Sequence, residues 1–355
     1  MEFNHPGRYF HKTRKPITKS LFSKSQIGSS FVALKQHYRT FARGSLGEKP
    51  FIDFGLAFSR QKARFLLVSI TFEMIRQKTL KQTVATEGIG LHTGVWVNLA
   101  LKQAPPNTGY VFVRTDLDNF EIPASVEYIS HCSYATTLMR NGVVISTTEH
   151  LLAALLGAGV DNCFIEFDNI EMPIMDGSSE NFIELLEKAG FVEQEAPRRF
   201  LQIRERVEVE QGARRMSIEP SERYEIECLI DFPHPFIETQ TYDFVLANGS
   251  FSREISRART FGFTHEIEML RKANLALGGS LDNAIVLSEN GMLNETPLRF
   301  ENEFVRHKIL DIIGDFALLG MPFLGKIKAE RSGHAVHAAL MSKLLKTRSA
   351  WEIVE

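Results

Sequence analysis

Four polar residues interrupt strongly apolar sequence in two separate parts of the chain. Glu149 and His150 open the apolar run 151–156, and His307 and Asp311 lie in a stretch that is otherwise rich in Ile, Leu and Phe. Four residues of helix turn through about 400°, so His307 and Asp311 share one face, one turn apart. Two histidines and one carboxylate can hold zinc with a fourth position left for water, and an adjacent glutamate outside the ligand set can act as general base. These residue types therefore predict a zinc hydrolase.

Each of these residues also has a purely structural interpretation. Ser146 and Glu149 have the spacing of a capping box, in which Glu149 would fold back onto the start of its own helix. His150 could be a core histidine with a single hydrogen bond. The stripe His307, Asp311 and Asp315 faces either solvent or a shared buried site, and buried carboxylates need a partner cation.

A third histidine, His334, follows Ser332 and Gly333 on a predicted loop after a predicted strand at 325–329. Ser332 lacks the GxSxG context of a serine nucleophile. His334 is better suited to protonate a leaving group, with Asp315 as the carboxylate that orients it. The alternative is a surface histidine. HExxH is absent and HxxEH fails at Ser146, so the common metalloprotease motifs do not account for the pattern.

Length and composition limit the classes of protein that fit. A chain of 355 residues can form two domains, each with its own core. Residues 1–73 carry 13 Lys and Arg against four Asp and Glu, a net charge of +9, which leaves −11 on residues 74–355. Such an acidic body argues against nucleic acid as the main partner. The three cysteines have no CxxC spacing and indicate a reducing compartment, and no apolar run approaches the length of a membrane span.

The first 73 residues differ from the remainder of the chain. They are basic and Ser-rich, and they lack a sustained hydrophobic period. We interpret them as an extension that is disordered or results from a start codon assigned too far upstream, with Met74 as the true start. A transit-peptide-like segment is the alternative.

From about residue 80 onwards, predicted strands and helices occur twice in the same order. A polar, Pro-containing segment at 195–199 separates the two halves. The glycine-rich segment 88–94 lacks GxGxxG spacing and is interpreted as a β-turn. Strands are predicted at 95–101, 110–114, 143–146, 162–167, 204–209, 216–220 and 224–231, and helices at 148–157, 179–189 and 303–319. A metal site formed by one helix of each half would lie at the interface between them.

Residues 74–355 resemble the UDP-3-O-acyl-N-acetylglucosamine deacetylases, the zinc amidases of lipid A synthesis. The resemblance rests on several segments that occur in order within residues 74–355, a stretch of roughly 280 residues. These are GIGLHTG at 88–94, TEHL at 148–151, EMPIMDGS at 171–178, SRARTFGF at 256–263 with LGGS at 277–280, and FVRHKILD at 304–311 with SGH at 332–334.

The resemblance implies a role for each matching residue. His150, His307 and Asp311 would hold one Zn²⁺ per chain, and Glu149 would take a proton from the attacking water. The remaining residues would act on the substrate. Thr260 would hydrogen-bond the oxyanion. His334, paired with Asp315, would assist departure of the amine. Lys308 would meet the nucleotide or oxyanion region, and Phe261 would pack against the sugar.

The resemblance also implies a fold and a biological setting. The α+β fold would be two β-α-α-β sandwich domains, 74–197 and 198–355, packed face to face with the active site at their interface. A βαβ insert at about 261–287 in the second domain would form an apolar acyl passage. Its apolar side chains would line the passage: Met269, Leu270, Leu275, Leu277, Ile285, Val286 and Leu287. We expect a cytoplasmic monomer of Gram-negative lipopolysaccharide synthesis that acts on an acylated UDP-N-acetylglucosamine, with no nucleic acid partner and at most peripheral membrane contact. A metalloamidase for another acylated sugar nucleotide and a non-catalytic lipid- or nucleotide-binding protein remain as alternatives.

Overall fold

The structure is a computed structural model that describes residues 75–355. The predictions for residues 1–74, including the basic extension and the start at Met74, lie outside the described residues. Within residues 75–355 the chain is a mixture of strands and helices arranged in several sheets, which confirms the predicted α+β class.

The first half of the described chain forms ten strands and two helices. The strands are β1 (Arg76–Leu80), β2 (Val84–Ile89), β3 (Trp96–Gln103), β4 (Tyr110–Arg114), β5 (Phe120–Pro123), β6 (Ile129–His131), β7 (Thr137–Arg140), β8 (Val143–Ile145), β9 (Cys163–Phe167) and β10 (Phe191–Pro197). The helices are α1 (Glu149–Gly157) and α2 (Glu180–Ala189).

The second half contributes ten strands and four helices. The strands are β11 (Phe200–Ile203), β12 (Val207–Gln211), β13 (Arg214–Glu219), β14 (Tyr224–Phe232), β15 (Glu238–Leu246), β16 (Phe261–Phe263), β17 (Ile285–Ser288), β18 (Gly291–Met292), β19 (Phe323–Glu330) and β20 (Trp351–Val354). The helices are α3 (Ser250–Glu254), α4 (Thr264–Lys272), α5 (Glu303–Phe316) and α6 (His334–Lys346).

One sheet topology occurs in both halves. The first sheet has the order β2-β3-β9-β4-β5, and pairing in the second follows β12-β13-β19-β14-β15. Within each of these five-strand orders the third and fourth strands run parallel, and the other neighbours are antiparallel. The second sheet also contains β11, which is parallel to β19, and β20, which is antiparallel to β11. A helix precedes and follows the third strand in each case: α1 and α2 around β9, and α5 and α6 around β19. The duplicated order predicted from the sequence is therefore present in the topology.

The strands form because their side chains alternate between the core and solvent. In β3, Val97, Leu99 and Leu101 are buried, whereas the alternate residues Trp96 and Asn98 are exposed. Helix α2 likewise buries a face that includes Phe182, Ile183, Leu185 and Leu186, as the period of its sequence predicts.

Helices α1 and α5 lie in the interior and approach each other closely. Eight of the nine residues of α1 and twelve of the fourteen residues of α5 are buried. A Cβ atom added at Gly314 would lie 2.0 Å from the carbonyl oxygen of Glu149. Glycine at this position therefore lets the end of α5 contact the start of α1, where Glu149 and His150 lie.

Three smaller features bear on the predictions. In the segment 88–94, residues 88–89 end β2 and a turn follows, in which Gly94 N donates to Gly90 O at 3.0 Å and Gly94 has a φ of +67°. The bond joins residues four apart, so the turn is an α-turn instead of the predicted β-turn. Strands β16 and β17 are parallel and joined through α4, which gives the βαβ unit expected at 261–287. The polar segment 195–199 is partly strand, because its first three residues end β10, which pairs with β1.

Candidate metal centre and active site

His150, His307 and Asp311, which we call the metal cluster, come together from α1 and α5 and are buried. Asp311 Oδ1 lies 3.3 Å from His307 Nε2 and 3.9 Å from His150 Nε2, and the two imidazole rings are nearly perpendicular. Tetrahedral zinc with bonds of about 2.0–2.1 Å places its ligand atoms about 3.3 Å apart. The three side chains are therefore spaced as ligands of one ion.

The protonation states of the metal cluster also suit a cation. Burial lowers the pKa of His150 to about 3, with His307 adding to the effect, and burial lowers the pKa of His307 as well. Both rings are thus neutral and able to donate a lone pair. Burial alone would raise the pKa of Asp311, but Lys308 and the neighbouring histidines lower it, so Asp311 is ionised.

Hydrogen bonds fix one of the two histidine rings. His307 Nδ1 lies 3.0 Å from Ala258 O, a bond that puts the proton on Nδ1 and leaves Nε2 bare toward Asp311. His150 Nδ1 is buried without a hydrogen-bond partner among the described residues. A core histidine with one hydrogen bond, the structural alternative for His150, does not describe this ring. The donor set fits a divalent cation such as zinc.

Glu149 lies beside the metal cluster and does not cap its helix. Its Oε2 accepts a hydrogen bond from Thr136 N at 3.1 Å, and Ser146 N donates to Ile170 O instead of to Glu149. The capping-box interpretation is therefore wrong. Burial raises the pKa of Glu149 to about 7, while His334 opposes that rise. Such a carboxylate can exchange a proton near neutral pH.

His334 lies on the other side of Glu149, with its Nε2 3.8 Å from Glu149 Oε1. Its Nδ1 is 2.7 Å from Asp315 Oδ2, so Asp315 holds the ring as predicted. Burial would lower the pKa of His334, but Asp315 raises it to about 10. The residue is the first of α6 and not part of a loop, because Gly333 is extended and the helix begins directly after it.

Lys308 and Phe261 form one wall of the site. Lys308 Nζ donates to Asp311 Oδ2 at 2.8 Å and lies 5.4 Å from the centre of the Phe261 ring. Burial would lower the pKa of Lys308, but Asp311 raises it, so the amine stays charged. The Phe261 ring is 6.3 Å from that of His307.

Thr260 and Phe261 also line an apolar cavity of about 470 Å³ beside the site. Among the passage residues predicted on the βαβ unit, Leu270 and Val286 line this cavity. Met269 and Leu277 are instead 60% and 53% exposed, whereas Ile285 and Leu287 are buried in the core. Leu91, His92 and Tyr134 from the first half of the chain complete part of the wall.

Two residues of the site were missed from the sequence. Thr136 Oγ1 donates to Asp315 Oδ1 at 2.5 Å while its backbone N–H binds Glu149, so one residue holds both carboxylates. His337 Nδ1 lies 2.7 Å from Asp315 Oδ2. The spacing of three between His334 and His337 on α6 was an available signal for His337. Thr136 has no comparable signal, because it lies 179 residues from Asp315.

A buried pair of histidines with one carboxylate, next to a glutamate outside that set, defines a metal-dependent hydrolase. Residues 77–346 match the family model described as LpxC, UDP-3-O-acyl N-acetylglycosamine deacetylase. A UDP-3-O-acyl-N-acetylglucosamine deacetylase of Coxiella burnetii (strain CbuK_Q154) is 49% identical over 286 residues, which cover 79% of this chain and 94% of the relative. Proteins of the same name from Hahella chejuensis and Myxococcus xanthus are 48% and 50% identical, and cover 79% and 78% of this chain and 94% and 89% of their own lengths.

The chain belongs to this deacetylase family. It is therefore an enzyme that hydrolyses an amide, in the lipid A biosynthesis class of hydrolases. None of the helices within residues 75–355 is long and apolar enough to cross a membrane.

Proposed function

We propose that this chain hydrolyses the 2-acetamido group of UDP-3-O-[(3R)-3-hydroxyacyl]-N-acetylglucosamine to give UDP-3-O-acyl-glucosamine and acetate. The observation that carries the proposal is the placement of Glu149 and His334 next to each other in one site. Glu149 Oε1 and His334 Nε2 are 3.8 Å apart, Glu149 directly precedes His150 of the metal cluster, and the charge of Asp311 acts on both Glu149 and His334. Hydrolysis of an amide needs both a base for water and an acid for the amine.

The metal cluster would hold one zinc ion, bound by His150 Nε2, His307 Nε2 and Asp311 Oδ1. Zinc supplies Lewis-acid polarisation of the carbonyl and acidifies water when bound at such a site. The second oxygen of Asp311 is held by Lys308, and the second nitrogen of His307 by the carbonyl of Ala258. These hydrogen bonds hold the side chains of Asp311 and His307 in place without a bound ion.

Glu149 would act as the general base. Its backbone-anchored Oε2 keeps the side chain turned away from the helix start, and the pKa of about 7 lets it take a proton at neutral pH. A cation in the metal cluster would lower that pKa from its raised value.

His334 would act as the general acid. Held by Asp315 with a pKa near 10, it is protonated at neutral pH and can stabilise developing charge and give its proton to the departing amine. Thr260 is proposed as the oxyanion donor, Lys308 as the cation facing the nucleotide or oxyanion region, and Phe261 as the surface against the sugar.

The 470 Å³ cavity lined by Leu270 and Val286 would take the acyl chain. We further propose that the chain divides near residue 197 into two β-α-α-β domains packed face to face, 74–197 and 198–355, because the strand order repeats on either side of that point. A cytoplasmic monomer that meets the membrane at most peripherally, without nucleic acid, completes the proposal.

The test is acetate release from UDP-3-O-acyl-N-acetylglucosamine by metal-stripped protein, with and without one equivalent of zinc. We expect release only after zinc is added, and release about 10²- to 10⁴-fold slower from Glu149→Gln treated in the same way. Zinc binding without acetate release would instead favour a different acylated sugar nucleotide as substrate. Failure to bind zinc at all would overturn the metal cluster.

A further inference from the structure

Asp315 accepts hydrogen bonds from two histidines on the same oxygen. His334 Nδ1 and His337 Nδ1 are each 2.7 Å from Asp315 Oδ2, and Thr136 Oγ1 lies 2.5 Å from Oδ1. The carboxylate is buried and ionised: burial would raise its pKa, but His334 and then His337 lower it. We call Asp315, His334 and His337 the proton cluster.

The neighbours of His337 determine where its proton lies. An ionised carboxylate can only accept, so the nitrogen that contacts Asp315, Nδ1, must carry the proton. Burial lowers the pKa of His337 despite Asp315, so the ring is neutral and its Nε2 is bare. That Nε2 lies 3.0 Å from Ser332 Oγ, which can donate to it. A hydrogen-bonded chain thus runs from Ser332 through His337 to Asp315, where it meets His334.

The groups that surround His337 agree with a proton on Nδ1 and none on Nε2. It is fully buried, its ring is 6.4 Å from that of Phe316 on α5, and its ring is 5.8 Å from that of His334 on α6. The charged groups that act on it are Asp315, His334 and, more distantly, Asp311. Its Nδ1 faces Asp315 and its Nε2 faces Ser332. Among the described residues, the ring of His337 therefore makes no hydrogen bond outside this chain.

The residue types of the proton cluster could also suggest a second metal site, but its distances do not. Two atoms bound to one tetrahedral zinc lie about 3.3 Å apart, given bonds of about 2.0–2.1 Å. Both histidine nitrogens are instead 2.7 Å from the same oxygen, the length of a charge-assisted hydrogen bond. Protons therefore occupy these contacts.

We propose that His337 is a positioning residue for the deacetylation: its Nδ1–H fixes the Asp315 carboxylate, which in turn holds the ring of His334 toward Glu149. The inference rests on the proposed function, because it concerns the residue that serves as its proton donor. His337 itself does not touch the substrate.

Two amide variants separate positioning from simple packing. Asn places its side-chain N–H near the position of His Nδ1, whereas Gln places it near Nε2 and is closer to His in volume. We expect His337→Asn to keep kcat within about threefold of the native enzyme, and His337→Gln and His337→Leu to lower kcat about 10- to 100-fold with KM changed less than about twofold. Thermal unfolding and zinc content of each variant check that all of them fold and bind the metal.

The opposite order, with His337→Gln as active as the native enzyme and His337→Asn impaired, would overturn the inference, because packing alone favours the larger side chain. A parallel loss in KM would overturn it too. A second readout needs no turnover: in ¹⁵N-labelled protein, the ring signal lost in His337→Asn should be that of a neutral Nδ1–H tautomer, and an Nε2–H tautomer would refute the proton chain. Absence of acetate release by the native enzyme would instead refute the proposed function.

Discussion

The metal cluster and the proton cluster contain the same residue types, two histidines and one aspartate, and their aspartates lie one turn apart on α5. In the metal cluster the histidine nitrogens stand 3.3 and 3.9 Å from Asp311, and both rings have lowered pKa values. In the proton cluster they stand 2.7 Å from Asp315, and the pKa of His334 is raised to about 10 by Asp315 whereas burial lowers that of His337. Residue composition and burial therefore do not separate a metal site from a proton site.

The difference arises from what surrounds each aspartate. Lys308 binds one oxygen of Asp311, and Ala258 O binds the Nδ1 of His307, so the remaining donor atoms of the metal cluster face one another without protons between them. Around Asp315, Thr136 donates a hydrogen bond to one carboxylate oxygen, and the Nδ1–H groups of both histidines donate to the other. Partners outside a cluster thus decide which chemistry it performs.

The largest effect should come from removing a ligand of the metal cluster. In His307→Ala we expect zinc to be lost and turnover to fall to background, because two remaining ligands cannot hold the ion in a buried site. His334→Ala, the matched variant of the proton cluster, should keep its zinc while losing turnover. The measurement is zinc content after dialysis together with acetate release. Zinc loss from His334→Ala equal to that from His307→Ala would erase the distinction between the clusters.

The next effect concerns Glu149, which lies between the clusters. Glu149→Gln keeps the size and the Thr136 contact of the side chain but removes the base, so kcat should fall about 10²- to 10⁴-fold with zinc retained. Glu166→Gln, at a carboxylate paired with Lys102 on the first sheet, is the control and should leave kcat unchanged. Native turnover in Glu149→Gln would remove this residue from the mechanism.

The pH dependence of kcat/KM should report the protonation of both Glu149 and His334. The base must be ionised, so kcat/KM falls as pH drops through the pKa of Glu149, which is about 7 without the metal. The acid must be protonated, so kcat/KM also falls as pH rises through the pKa of His334, about 10. The two groups interact, so the limbs belong to the pair. Asp315→Asn should move the alkaline limb to lower pH because the charge that raises the pKa of His334 is gone. An alkaline limb that stays in place in this variant would argue against His334 as the acid.

The smallest effect is on stability and tests how the metal cluster is assembled. The methyl group of Gly314→Ala would meet the carbonyl oxygen of Glu149, so the free energy of unfolding should fall by about 1–3 kcal/mol and α1 should move away from α5. Zinc affinity should weaken with it, since His150 moves with α1. In Gly262→Ala the new methyl would lie 3.8 Å from Ile267, an ordinary contact, and stability should change little. Urea unfolding and zinc titration of both variants measure this, and equal stabilities would contradict the close approach.

The grouping of His150, His307 and Asp311 could be predicted from sequence because these residues interrupt apolar runs, where buried polar groups need a partner. Helix α5 was predictable from the four-residue spacing of His307, Asp311 and Asp315, and the duplicated strand order from the repeated hydrophobic pattern. The proton cluster was predicted only in part. His334 was assigned to a loop because it follows closely after the predicted strand at 325–329, yet helix α6 begins directly after Gly333.

Contacts between distant parts of the chain account for the features that were missed. Thr136 reaches Asp315 across 179 residues, and no local pattern marks it. Residues 195–197 were interpreted as part of a boundary because the segment 195–199 is polar and contains Pro. They instead end β10, which pairs with β1, more than a hundred residues earlier. The passage residues were assigned by hydrophobicity alone, which does not separate the buried Ile285 from the cavity-lining Val286, its neighbour in β17.

We expect the metal cluster to bind a cation and the proton cluster to hold only protons. Anomalous scattering at the zinc edge, from crystals of the protein loaded with one equivalent of zinc, measures this difference. We predict a single peak among His150 Nε2, His307 Nε2 and Asp311 Oδ1, with the 2.7 Å contacts of Asp315 to His334 and His337 unchanged. A peak between Asp315, His334 and His337, or zinc shared between the two clusters, would contradict the account.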